Sequence, residues 1–151
     1  MDTRTRMMLG DEGVDRLNQA TVAVFGVGGV GSFSVEALAR AGIGRLLLCD
    51  SETVAPSNIN RQLVAYQDTV GQLKVEVARR RIASINPKCQ VETYPFFFGE
   101  ETWEQFPFSA CDYVIDAIDS VPSKLLLIET CTRQNIPIIS CMGAGNKLAD
   151  W

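Results

Sequence analysis

The chain has 151 residues, 46% of them hydrophobic and 21% charged, and this length is sufficient for one domain with a buried core. It contains no histidine, which excludes Ser-His-Asp and Cys-His catalytic arrangements and any histidine-ligated zinc or haem site within these residues. The net charge of -4 argues against non-specific nucleic-acid binding. No apolar run reaches the roughly 18 residues that span a bilayer, so we predict a soluble, cytoplasmic protein with no membrane partner.

The first predicted elements are a strand, a glycine-rich turn, a helix and a second strand. Residues 21–26 form a β-branched run that is typical of a buried parallel strand. Residues 32–41 carry apolar side chains at helical spacing, and Gly42 ends that helix. Residues 46–50 predict the next strand, and residues 51–66 predict a polar loop.

The second half of the chain continues the alternation of strands and helices. The pattern predicts helices at residues 71–86 and 124–134, and strands at residues 89–97, 113–116 and 136–141. Alternating strands and helices predict an α/β fold, with a doubly wound, Rossmann-like, mostly parallel sheet and helices on both of its faces.

The glycine-rich turn is the first feature that indicates a ligand. Gly26, Gly28, Gly29 and Gly31 lie between a predicted strand and a predicted helix. Glycines in that context allow backbone N–H groups at a helix N-terminus to approach a phosphate closely. Asp50 ends the second strand, where a carboxylate can accept hydrogen bonds from ribose hydroxyls. These residues predict a nucleotide site.

Cationic residues beyond Asp50 favour a triphosphate over a nicotinamide dinucleotide as the ligand. Arg61 can hold phosphate oxygens bidentately, and Lys74 can place a point charge near the transferring phosphorus, with Asn58 close by in the sequence. Asp119 follows the fourth predicted strand and is our candidate ligand for Mg²⁺. We expect the neighbouring Asp116 to cap the turn instead.

These motifs together resemble the E1-like adenylating superfamily; they are residues 26–31, 50–52, 57–62 and 71–74, and Asp119. The resemblance implies that ATP and Mg²⁺ bind, and that a carboxylate attacks the α-phosphate to give an acyl adenylate and pyrophosphate. It assigns the ribose to Asp50, phosphate contacts to Asn58, Arg61 and Lys74, and the metal to Asp119. It also implies a homodimer, in which Arg6 or Arg4 reaches into the partner's site as an arginine finger.

Further segments look like one branch of that superfamily, the tRNA threonylcarbamoyladenosine dehydratases; they are residues 6–10, 41–44, 114–120 with Lys124, and 143–145. This resemblance implies ATP-dependent, cyclising dehydration of threonylcarbamoyladenosine in tRNA. It divides the chain into an N-terminal helical segment, residues 1–20, and an ATP-binding Rossmann-like domain, residues 21–151. Because members of the branch continue further, we expect that domain to be incomplete at its C-terminus and this portion to be inactive alone.

Three other functions remain open at this point. One is adenylation of the C-terminus of a ubiquitin-like sulfur-carrier protein, with a sulfur-transfer protein as partner. The others are an NAD-dependent oxidoreductase, against which Arg61 and Lys74 argue, and a nucleotide-binding module without turnover. The five cysteines include no C-x-x-C pair, and we nominate none of them as a nucleophile.

Overall fold

Five parallel strands form a single sheet in the computed structural model, which describes residues 13–55 and 69–141. The spatial order is β3-β2-β1-β4-β5, and each neighbouring pair is parallel. Because β1 lies between β2 and β4, the strand order reverses there, and the carboxyl ends of β1 and β4 flank the crevice that such a reversal creates. The strands are β1 (Thr21–Phe25), β2 (Arg45–Cys49), β3 (Gln90–Tyr94), β4 (Tyr113–Asp116) and β5 (Ile138–Ser140).

Four helices accompany the sheet within the described ranges: α1 (13–19), α2 (Gly29–Ala41), α3 (Lys74–Ile85) and α4 (Val121–Arg133). Gly42 ends α2 in the left-handed conformation, at φ 99°, as the sequence predicts. Helix α4 begins three residues earlier than predicted, because Pro122 is accommodated in its first turn, where no backbone donor is needed. No helix of the described part of the chain is long and apolar enough to cross a membrane.

Helix α3 begins later than predicted because the residues before it pair with the segment after β2. Thr53 and Leu73 form an antiparallel bridge, and the amide of Gly71 donates to the carbonyl of Val54 at 2.8 Å. Gly71 has φ 89°, a conformation that side-chain-bearing residues rarely adopt. These contacts place Lys74, the first residue of α3, beside the end of β2.

Side chains alternate along the central strands and build two separate cores. Val22 and Val24 of β1 pack with α2 and α3, and Leu17 of α1 packs against the same cluster. Ala23 and Phe25 point to the other face, where they pack with α4 and a cluster of aromatic rings. The predicted parallel α/β sheet with helices on both faces is therefore confirmed.

The two outer strands are shorter than predicted. Strand β3 ends at Tyr94, because the amide of Phe96 turns back to the Tyr94 carbonyl at 2.8 Å and Phe98 joins the aromatic core. Strand β5 begins only after Pro137, which has no N–H group to donate to a ladder. Its carbonyl still accepts a hydrogen bond from the amide of Val114 at 2.9 Å.

Candidate nucleotide site

The glycine turn lies at the carboxyl edge of the sheet and is packed too tightly for side chains. A Cβ atom on Gly26 would lie 2.5 Å from the carbonyl oxygen of Ala117, and Gly26 has φ +92°. A Cβ atom on Gly31 would lie 1.7 Å from the carbonyl oxygen of Gly26. Gly28 is the N-cap of α2, and Gly29 is the first residue of that helix. The positive end of the α2 dipole therefore faces the edge where a phosphate would bind.

Asp50 holds this turn against the end of β2. Its Oδ2 atom accepts a hydrogen bond from the amide of Val27 at 2.7 Å, and its Oδ1 atom accepts one from the amide of Glu52 at 2.7 Å. Burial raises the pKa of Asp50, while those two hydrogen bonds and the charge of Lys74 act in the opposite direction. Each carboxylate oxygen keeps a second lone pair, so the ribose role remains open to Asp50 and stays a prediction.

Lys74 brings a buried cation to the same edge. Its side chain is 4% exposed, and its Nζ atom lies 2.9 Å from Oε1 of Glu52, whose side chain is 71% exposed. The amide of Lys74 also donates to the carbonyl of Glu52 at 3.0 Å. Because a buried ammonium needs an anionic partner, an incoming phosphate could replace the exposed carboxylate of Glu52 beside Lys74. Glu52 belongs to the sequence motif at residues 50–52, but no role was predicted for it. Its position two residues after Asp50 is the sequence feature that could have indicated its place in the site.

Asp116 ends β4 and is completely buried, and its Oδ1 atom accepts a hydrogen bond from the amide of Ile118 at 3.0 Å. The predicted turn cap is confirmed. Its Oδ2 atom accepts from Nζ of Lys124 at 2.8 Å and from Oγ of Ser140 at 2.9 Å, and Lys124 also donates to the carbonyl of Cys141 at 3.0 Å. These partners were not predicted, although a buried carboxylate requires a cation or several donors.

The structure brings together all the nominated residues that it describes. The glycine turn follows β1, Asp50 follows β2, Asp119 follows β4 and Lys74 begins α3, so all lie at the carboxyl edge of the sheet. Asp119 is exposed there. The candidate residues Arg4, Arg6, Asn58 and Arg61 lie outside the described residues.

A magnesium ion fits this edge only as a partner of bound phosphates. Within residues 13–55 and 69–141, no group of three or more acidic, cysteine or histidine side chains could hold a metal ion alone. Mg²⁺ commonly takes one or two carboxylates and completes its shell with substrate phosphates and water. The exposed carboxylate of Asp119 is consistent with that arrangement.

A comparison with protein families decides the classification. The ThiF family model matches residues 3–147. The chain belongs to the ThiF family. This result confirms the resemblance to the E1-like adenylating enzymes.

Individual relatives refine the comparison. The ThiF-family chain is 52% identical over 145 residues to the tRNA threonylcarbamoyladenosine dehydratase of Bacillus subtilis, covering 96% of this chain and 57% of that protein. The structure of the Escherichia coli dehydratase TcdA in complex with ATP is similar, with a TM-score of 0.90, 42% identity, and coverage of 93% of this chain and 58% of that one. A sulfur carrier protein adenylyltransferase of Thermus thermophilus is 33% identical over 131 residues, 87% of this chain and 48% of that protein. The chain thus spans about half the length of these relatives.

Four of the five cysteines have a raised pKa, so none of these four is an activated nucleophile. Burial raises the pKa of the Cys49 thiol well above its usual range. Burial also raises the pKa of Cys89 and of Cys131 to about 11, and that of Cys111 to about 12. Because the thiolate is the reactive form, these four side chains are inert near neutral pH.

Proposed function

We propose that this ThiF-family domain binds ATP together with Mg²⁺ and activates a carboxylate by adenylation, as the nucleotide-binding part of a tRNA threonylcarbamoyladenosine dehydratase. The observation that carries the proposal is the buried ammonium of Lys74 at the edge of the sheet where the glycine turn and the N-terminus of α2 also lie. The similarity to tRNA threonylcarbamoyladenosine dehydratases of Bacillus subtilis and Escherichia coli supports this substrate. A cytoplasmic location belongs to the same proposal, because tRNA is the substrate.

The proposed reaction places most of the work on phosphate-binding groups. A carboxylate oxygen of the substrate attacks the α-phosphorus, the bond to the bridging oxygen breaks, and pyrophosphate leaves. Lys74 and Arg61 neutralise charge on the phosphate oxygens, while Asn58 and the N-terminus of α2 donate hydrogen bonds. Asp50 holds the ribose. Since the substrate supplies its own nucleophile, no histidine base is needed.

Mg²⁺ and a second subunit complete the proposed site. Asp119 would hold the ion, which shields the negative charge of the triphosphate when bound. Arg6, or Arg4 in its place, would reach the site of the other subunit in a homodimer. Both arginines lie outside the described residues, so this arrangement rests on the resemblance stated above.

Adenylation of a sulfur-carrier protein is the second candidate function, because the Thermus thermophilus relative carries that description at 33% identity. The same nucleotide chemistry would serve it, with the carboxylate coming from the carrier's C-terminus and a sulfur-transfer protein as a partner. An NAD-dependent oxidoreductase has less support, since a hydride transfer makes no use of a buried ammonium at this position.

Replacing Lys74 with methionine tests the nucleotide site directly. We expect the Kd for ATP in the presence of Mg²⁺ to rise roughly 10-fold to 100-fold, because a charged hydrogen bond contributes about 1.5–3 kcal/mol. Isothermal titration of the full-length gene product measures this. Lys88→Met, an exposed lysine beyond the far end of α3, is the matched control and should leave the Kd unchanged. Equal affinity of wild type and Lys74→Met would contradict the proposal.

The substrate is tested separately from the nucleotide. We expect the full-length gene product to consume ATP stoichiometrically with cyclisation of threonylcarbamoyladenosine in tRNA, as followed by mass spectrometry of the nucleosides. Exchange of pyrophosphate into ATP that is stimulated by a small carrier protein, and not by this tRNA, would replace the dehydratase assignment with the sulfur-carrier one. Binding of NADH without binding of ATP would refute both.

A further inference from the structure

An ion pair joins α2 and α3, the two helices that begin at the carboxyl edge of the sheet. We call this edge, where the nucleotide is proposed to bind, the nucleotide edge. Arg81 of α3 donates from Nε to Oε2 of Glu36 at 3.0 Å and from Nη2 to Oε1 at 2.9 Å. This is a bidentate arrangement, in which the planar guanidinium fixes both distance and orientation. Arg40 of α2 also donates to Oε1 of Glu36, and the hydrogen bond from Arg81 is the largest cause of the lowered pKa of Glu36. The Glu36 side chain is 14% exposed.

The two partners occupy equivalent positions on their helices. Glu36 is seven residues after Gly29, the first residue of α2, and Arg81 is seven residues after Lys74, the first residue of α3. At 1.5 Å per residue, each lies about 10 Å from the nucleotide edge. A bond at equal depth on two helices constrains their separation at that depth, and it therefore also limits how far apart their N-termini can lie.

Buried apolar side chains of α2 and α3 pack in one cluster beside the ion pair, so packing and the ion pair together define this separation. A cavity of about 10 Å³ lies between α2 and α3, and Ser32, Val35, Ala78 and Ile82 line it together with the ion pair. Asn86 ties the far ends of the helices, since its Nδ2 atom donates to the carbonyl of Ala39 at 3.1 Å. At the other end, the amide of Lys74 donates to Glu52, which belongs to the loop after β2 and not to α2.

We infer that Arg81, through its bidentate pair with Glu36, is a positioning residue that sets the distance between the glycine turn and the Lys74 ammonium. The inference rests on the proposed function, because it assigns both ends of that distance to phosphate groups of ATP. A partly exposed ion pair contributes little net stability, so its main effect here is geometric. A helix N-terminus and a buried cation can serve one triphosphate only at a matched separation.

The test replaces Arg81 with methionine, which keeps an unbranched apolar chain in place of the arginine stem but removes the guanidinium. We expect the Kd for ATP with Mg²⁺ to rise about 3-fold to 10-fold, measured well below the thermal midpoint of each variant. Arg81→Lys, which keeps the charge but loses the bidentate geometry, should lie between wild type and Arg81→Met. Arg79→Met is the matched control, since Arg79 pairs with Glu76 within α3 and does not cross to α2; it should leave the Kd unchanged.

A double-mutant cycle with Lys74→Met separates positioning from general loosening of the fold. If Arg81 acts through Lys74, adding Arg81→Met to the Lys74→Met background should change the Kd less than 2-fold. A full, additive loss in that background, or a lowered midpoint with an unchanged Kd in Arg81→Met alone, would overturn the inference. Failure of the proposed function looks different, because wild type would then not bind ATP, or Lys74→Met would bind it equally well; either result overturns both.

Discussion

Gly31→Ala should abolish detectable ATP binding and destabilise the protein by about 3 kcal/mol or more, at the upper end of the cost of overpacking. The added Cβ would lie 1.7 Å from the carbonyl oxygen of Gly26 and 2.8 Å from its carbonyl carbon. Both are backbone atoms and cannot rotate away. The first turn of α2 would therefore have to move off the end of β1, and the helix N-terminus would no longer face the phosphate position.

Urea unfolding and ATP titration of the same samples measure the two effects. Gly99→Ala is the matched control, because a Cβ there meets only ring atoms of Phe97, at 3.6 Å, which is ordinary contact. We expect this control to differ from wild type by less than about 1 kcal/mol. Wild-type stability in Gly31→Ala would show that the turn tolerates a side chain, and the tight packing described above would be wrong.

Lys124→Met should be the most destabilising of the charge-removing substitutions, at about 3–5 kcal/mol, because it leaves a buried carboxylate without its cation. Asp116 has no exposed surface, and Lys124 is 2.8 Å from its Oδ2 atom. Lys124 also donates to the carbonyl of Cys141, so the substitution loosens the end of β5 as well as the end of β4. Urea unfolding midpoints measure the loss.

A second substitution distinguishes the uncompensated charge from lost packing. Adding Asp116→Asn to Lys124→Met removes the buried charge, and we expect it to recover part of the lost stability. In the wild type, the backbone amide of Ile118 donates a hydrogen bond to Oδ1 of Asp116. The side-chain oxygen in Asp116→Asn can still accept that hydrogen bond. If the double variant is less stable than Lys124→Met, the carboxylate is not the source of the cost. Lys88→Met, which removes an exposed lysine, should have little effect.

These two sites support the nucleotide edge from opposite sides. Gly26 and Gly31 lie against Ala117, which follows β4, and the amide of Ala117 donates to the carbonyl of Phe25 at 2.8 Å. Lys124 holds Asp116 one residue earlier. A disturbance at either place should therefore change the path of the loop that carries Asp119, the proposed metal ligand. The ends of β1 and β4 act as one unit because their backbones are in direct contact.

Local features of the site could be predicted from residue type and spacing. The strand, glycine turn and helix around Gly26 follow from short-range preferences, since β-branched residues favour strands and glycine permits close backbone approach. The alternation of strands and helices predicts a parallel sheet, and the carboxyl ends of parallel strands must meet at one edge. That rule predicts that the glycine turn, Asp50, and Asp116 or Asp119 lie at one edge, whereas Lys74 is predicted to join them because of its charge. The turn-capping role of Asp116 was also accessible, because aspartate often accepts from the amide two residues later.

The tertiary structure decided which side chains meet across long separations in the chain. The sequence contains Lys124, Ser140 and Asp116, but only the pairing of β4 with β5 and the packing of α4 bring them together. In the same way, Glu36 and Arg81 belong to different helices, and their pairing depends on α2 and α3 lying side by side on one face. Residue type and spacing determined the order of strands, helices and polar side chains from which a phosphate-binding edge is predicted in this ThiF-family chain. The separation of the groups along that edge depends on tertiary contacts between helices, the Glu36–Arg81 pair among them, because no short-range preference specifies a distance between helices.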